Sequence, residues 1–265
     1  MCGIAGYSLS SGSPADRTLA AQALLAGIAE RGADAVGYAY REDAGPIRVY
    51  KQRSGASALL DQLRVPAAAT QVLVHVRDYT KGHPTIEANN HPIRHGAVVG
   101  VHNGIVVNDD ELLARYGLER AHPDMTVDSE AIFALVERNG GDAAALEEMQ
   151  GAIATSWLDE RAPATLFLAR GAYRPLWIGT SSDEFFFAST RDALEVVERA
   201  LRKTLRKREV SEGTLLRVES GKIVGRSRFH PDRSYCEENA LPAVRAPQEG
   251  VFCLERIAAI VAAAA

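Results

Sequence analysis

The chain has 265 residues, 46% hydrophobic and 24% charged, with a formal net charge of −4 at pH 7. That is the composition of a globular protein long enough for a full hydrophobic core, as one large domain or two small ones. The mild acidity argues against a nucleic-acid or anionic-membrane surface, and no apolar run nears the ~20 residues of a spanning helix.

Residues 16–30 carry Leu19, Ala23, Leu24 and Ile28 at helical spacing, with Gly32 as a stop. Strand-like runs follow at 36–40, 47–51, 72–76, 97–101 and 105–107. Residues 81–96, rich in Pro, Gly, His and Asn, read as loop. Helices are expected at 109–116 and 129–137, then strands at 152–158, 165–169, 176–179 and 185–189. A helix at 192–201 and a hairpin at 213–224 around Ser220-Gly221 complete the pattern. Strands come in runs rather than alternating with helices, which favours an α+β fold over a doubly wound parallel sheet. From about residue 226 the pattern weakens and Pro231, Pro242 and Pro247 appear. This tail reads as an extended arm or a poorly ordered segment, its last residues 257–265 as a short apolar helix or a frayed end. Residues 199–208, with six Lys or Arg, read as a solvated helix face.

The first residues lack the basic and apolar regions of a secretory signal, so a cytoplasmic location is expected. Cys2, Cys236 and Cys253 show no metal-ligand spacing, and an odd count there argues against a disulfide framework. Cys2 differs from the others. Removal of Met1 before so small a residue would leave a thiol and a free α-amine on one residue. An α-amine titrates near ~7.7–8.0 and can serve as the base for its own thiol. The bland alternative is a small buried residue at the start of a strand. Asn103-Gly104 has its own bland alternative, a hairpin turn between 98–101 and 105–107. For Arg77 the alternative is a surface ion pair, and for Asp128 a helix N-cap.

Met1-Cys2-Gly3-Ile4-Ala5-Gly6-Tyr7 resembles the start of class II glutamine amidotransferases, which are N-terminal-nucleophile hydrolases. Further motifs resemble that family in order: Arg31-Gly32-Ala33-Asp34 through Gly37, His75-Val76-Arg77 through Thr80, Gly82 and Pro84, Asn90-His91-Pro92, His102-Asn103-Gly104-Ile105, and Asp128-Ser129-Glu130. The resemblance covers roughly residues 1–225 as a glutaminase domain and leaves 226–265 as the C-terminal tail. It implies a four-layer αββα sandwich and hydrolysis of glutamine to glutamate and ammonia, with no metal or organic cofactor. It also implies roles: Cys2 as nucleophile, Asn103 and Gly104 as oxyanion donors, Arg77 on the α-carboxylate of glutamine, Asp128 on its α-ammonium, and Thr80 and His91 lining the pocket. Asp78 and Lys81 depart from the family's aromatic and His in the loop that closes over glutamine, and these two are expected either to weaken that lid or to pair with each other. About 40 residues beyond the glutaminase-like region are too few for a synthase domain. The expected partner is therefore a separate ammonia-accepting synthase subunit. The alternatives are a freestanding hydrolase of a γ-glutamyl amide and a non-catalytic glutamine-binding module.

Overall fold

In a computed structural model, which describes residues 2–42, 45–236 and 242–263, the elements run as follows. The first half holds β1 (Gly3–Leu9), α1 (Arg17–Ile28), β2 (Ala35–Glu42), β3 (Arg48–Gln52), α2 (Ala56–Leu60), β4 (Ala69–Arg77), β5 (Ile93–His95), β6 (Val98–Val106), α3 (Asp109–Tyr116) and α4 (Glu130–Arg138). The second half holds β7 (Gly151–Asp159), β8 (Thr165–Arg170), β9 (Trp177–Ser181), β10 (Glu184–Ala188), α5 (Arg191–Leu201), β11 (Arg206–Glu209), β12 (Thr214–Glu219), β13 (Lys222–Arg228) and α6 (Pro247–Ala263). One sheet has the order β11-β9-β10-β1-β4-β2-β3, the other β13-β12-β8-β7-β6-β5. Every ladder is antiparallel.

Successive side chains of a strand point to opposite faces, and here both faces are buried. Ala5, Tyr7 and Leu9 of β1, Val72, Val74 and Val76 of β4, and Phe186 of β10 enter an outer core shared with α1, α5 and α6. Their neighbours Ile4, Leu73, Phe185 and Phe187 enter a second core, where they meet Val99 and Val101 of β6 and Ala154 and Leu158 of β7. Val98 and Val106 of β6 turn the other way, to Ile132, Phe133, Leu135 and Val136 of α4. Helices, sheet, sheet, helices: the αββα sandwich and the α+β class both hold. Among the described residues no helix is long and apolar enough to cross a membrane.

Several local expectations differ. β6 runs unbroken through Asn103-Gly104, pairing Asn103 with Ala154 and Gly104 with Ile153, so the dipeptide makes no hairpin. The hairpin expected around Ser220-Gly221 is present, with φ of 47° and 78°, as an I′-type turn requires. The basic run splits: α5 stops at Arg202 (φ 51°) and residues 206–209 form an edge strand. The expected loop 81–96 contains a 3-10 turn, Glu87–Asn89, and the short β5. The weakly patterned tail carries the 17-residue α6.

Candidate active site

The second core turns polar at one end of the sandwich. Cys2 lies two residues before Ile4, His75 and Arg77 two and four residues after Leu73, and Asn103 two residues after Val101. Period-two alternation therefore aims all four side chains into the space between the sheets. Register brings them to the same end, because Ile4 pairs with His75 and Gly3 with Val76, which sets Cys2 beside Arg77. His75 Nε2 crosses the layer and lies 3.1 Å from the His102 carbonyl of β6.

Cys2 is half-buried. Its thiol donates to the Asp78 carbonyl at 3.4 Å, and its own carbonyl accepts from Arg31 Nε at 2.8 Å. Gly32 is forced by the next contact: a Cβ there would sit 2.4 Å from the carbonyl carbon and oxygen of Arg77. Asp34 then accepts at Oδ2 from Tyr79 N and donates its N–H to Arg77 O. The turn at 31–34 thus braces both Cys2 and the loop after β4.

Asn103 is 1% exposed, and neither its Nδ2 nor its Oδ1 has a hydrogen-bond partner among the described residues. A buried amide left unpaired is uncommon and unfavourable by about 1–3 kcal/mol. Gly104 beside it has φ +149°, and a Cβ there would lie 1.7 Å from Ala152 O. Only glycine fits that backbone.

Asp128 does not act as the N-cap of α4, whose cap position is Ser129. Its carboxylate accepts from Val106 N at 2.7 Å, and Ser129 Oγ meets His102 Nδ1 at 2.9 Å. Arg77 is no surface residue: it is 2% exposed. It donates to Asn90 Oδ1 at 2.5 Å, to Lys81 O at 2.9 Å and to Gly82 O, and so holds the loop that carries Thr80. Thr80 itself is exposed. His91 is buried with its ring stacked on His75, centroids 4.1 Å apart and planes at 17°. Asp78 and Lys81 do not pair with each other. Lys81 reaches Asp109 and Asp110 at 2.7 and 2.9 Å, and Asp78 meets Arg245.

Residues 80–196 match the family model described as a glutamine amidotransferase domain. The chain is 30% identical over 212 residues to a glutamine–fructose-6-phosphate aminotransferase of Bacteroides thetaiotaomicron, covering 75% of this chain and 33% of that one. It is 32% identical over 207 residues to the Methanothermobacter thermautotrophicus enzyme of that name, covering 73% and 34%. Among solved structures, the glutamine phosphoribosylpyrophosphate amidotransferase of B. subtilis, complexed with ADP and GMP, superposes with a TM-score of 0.68 at 21% identity, covering 87% of this chain and 50% of that one. The chain is a class II glutamine amidotransferase domain of the N-terminal-nucleophile type. It spans about a third of the length of the curated relatives it matches.

In the amidotransferase domain burial dominates the electrostatics. It pushes the Cys2 thiol up, against a downward pull from Arg77. Burial brings His75 and His102 down to about 3, with Arg77 adding to the effect at His75. It takes His91 well below the usual imidazole range, with His75 and Arg77 adding. None of these histidines is basic enough to take the thiol proton efficiently. Burial raises Asp128 to about 6.

Other residues of this site had no assigned role in the sequence. Arg31 and Asp34 stand in a quoted motif, but their grip on Cys2 and on the loop depends on tertiary contacts. Asn90, read only as part of Asn90-His91-Pro92, holds Arg77. Arg174, in no motif, is buried with its charge acting on Arg31 and His102. Cys253 is buried in the outer core, with a thiol pushed up to about 12 by burial, and Cys236 is exposed.

Proposed function

We propose that the domain hydrolyses glutamine to glutamate and ammonia through Cys2. The observation that carries this reading is the buried, unpaired Asn103 amide beside the positive-φ Gly104, on the face that also receives Cys2. A folded protein keeps such a group only if something else meets it, and a developing oxyanion is what it fits. Met1 lies outside the described residues, and its removal gives Cys2 a free α-amine. That amine takes the thiol proton while sulfur attacks the side-chain Cδ of glutamine. The carbonyl electrons move to oxygen, which Asn103 Nδ2–H and the Gly104 N–H hold. The amine returns the proton to the departing nitrogen, the C–N bond breaks, and ammonia leaves a γ-glutamyl thioester. Water, deprotonated by the same amine, releases glutamate and restores the thiol.

Three of the five N–H groups of Arg77 are engaged by the protein, which leaves donors for the glutamine α-carboxylate. Asp128 takes the α-ammonium. Thr80 and His91 line the pocket from the loop and from beneath His75. No metal or organic cofactor takes part in this scheme. The ammonia goes to a synthase on a separate polypeptide or on a further domain. The aminotransferase relatives support this, since they are about three times the aligned length.

The test is glutamate release by protein whose intact mass shows Met1 absent. Cys2→Ala should fall to the uncatalysed level with an unchanged unfolding midpoint. Release that survives in Cys2→Ala would overturn the reading.

A further inference from the structure

Among the described residues Cys2 makes two polar side-chain or carbonyl contacts, and one piece of the chain holds the residues behind both. The first contact is Arg31, on the 3-10 turn Ala29–Arg31. The second is the Asp78 carbonyl. The segment leading into α6 holds each of them. Arg245 N and Ala246 N both donate to Glu30 O, at 2.8 and 2.8 Å. Gly250 presses on the same turn, where a Cβ would meet Glu30 Cβ at 2.8 Å. Arg245 Nε lies 3.3 and 3.2 Å from the two carboxylate oxygens of Asp78. The helix behind this grip is itself fastened. Glu249 accepts from Ser57 N and Oγ at 2.7 and 2.9 Å, Arg256 donates to Asp61 at 2.8 and 3.0 Å, and Cys253 and Ile257 enter the outer core.

We propose that Arg245 is a positioning residue for Cys2: it ties the C-terminal helix to the turn and the loop backbone that fix the nucleophile's carbonyl and thiol. The proposal rests on the reading of Cys2 as nucleophile. The size of the interaction separates this role from a merely structural one. Arg245 and Asp78 have side-chain exposures of 39% and 13%, and an ion pair with one partner in solvent adds little to stability. A displacement of ~1 Å at a nucleophile, by contrast, can lower a rate by as much as about a hundredfold. Losing Arg245 should therefore slow turnover far more than it lowers stability.

The experiment compares wild type, Arg245→Ala, Arg245→Lys and Arg256→Ala as full chains. Steady-state glutamate release is measured alongside the alkylation rate of Cys2 by iodoacetamide, read by peptide mass spectrometry with exposed Cys236 as the internal standard. Arg245→Ala should lose about tenfold in kcat with little change in KM, and its Cys2:Cys236 alkylation ratio should shift severalfold. Arg245→Lys should restore most of both, and Arg256→Ala should match wild type. Wild-type kcat and alkylation in Arg245→Ala, or an equal effect from Arg256→Ala, would overturn the proposal. If wild type releases no glutamate while the alkylation ratio still responds to Arg245→Ala, the positioning role stands and the glutaminase reading fails.

Discussion

The space between the two sheets has a centre and an end built from the same strands. In the centre Ile4, Leu73, Val99 and Val101 pack against Ala154, Leu158, Phe185 and Phe187. At the end the same faces of β1, β4 and β6 carry Cys2, His75, Arg77 and Asn103. Between the two regions the backbone ladder does not change, yet every side chain goes from apolar to polar within two to four residues. The centre stabilises the sandwich by burying apolar surface, while the end leaves a buried amide unpaired and a carboxylate raised to about 6. The rigidity of the first lets the second hold an arrangement that folding alone disfavours.

Truncation in the centre should break the comparison most strongly. Phe187 is fully buried, and Phe187→Ala should lower stability by about 3–5 kcal/mol, with kcat per folded molecule largely kept. Chemical denaturation followed by activity of the remaining folded fraction separates the two effects. A kcat lost in proportion to stability would mean that centre and end are not separable.

At the end the sign should reverse. Asn103→Leu keeps the branched shape and the number of heavy atoms, with somewhat larger ends, and removes the unpaired amide. It should lower kcat by about 10²–10³, the usual loss for one oxyanion donor. The unfolding midpoint should hold or rise, because a buried polar group without a protein partner has been replaced by an apolar one. A midpoint that falls by several degrees with kcat intact would assign Asn103 to the fold rather than to the reaction.

How much of this the sequence disclosed follows from the same contrast. The α+β class was legible from strands that come in runs, and the αββα layers and the candidate positions Cys2, Arg77, Asn103, Gly104 and Asp128 from the ordered motifs that resemble the family, because both signals are local. Asn103-Gly104 taken alone pointed to a hairpin, and the long-range ladder to β7 overrode that turn preference. The strand β1 was weakly marked because Gly3-Ile4-Ala5-Gly6 has no alternation when both faces are buried. Of α6 only the last part was offered, as one of two readings of residues 257–265, because the helix buries only Gly250, Cys253 and Ile257 and exposes Val251, Phe252 and Leu254, so no clean apolar stripe appears. Asn90 lies 13 positions from Arg77, Asp109 28 from Lys81 and Arg245 167 from Asp78, beyond the reach of any spacing rule. The tail's contacts with Glu30 and Asp78 were hidden for the same reason.

Asp128 sharpens the comparison in both stability and rate. Its carboxyl has a native pKa of about 6, against an ordinary value of 3.8, with burial as the main cause. The folded state therefore holds this proton more tightly than the unfolded chain does. Its contribution to stability is most favourable below about pH 3.8 and is lost as pH rises through about 6. By pH 7 the ionised group disfavours the fold by about 3 kcal/mol, taking 1.36 kcal/mol per pH unit of separation. Asp128→Asn should recover much of that at pH 7, with the gain shrinking toward zero below pH 4. For the reaction, on the proposed role in which the ionised carboxylate meets the glutamine ammonium, the sign is opposite. Wild-type kcat/KM should fall toward tenfold per unit as pH drops below about 6. Asp128→Asn should lose that limb of the profile and raise KM above about pH 6, with the difference closing as the pH falls. Denaturation curves and pH profiles of the two proteins measure both effects, and a variant that is less stable at pH 7 with KM unchanged would give Asp128 a purely structural role against β6.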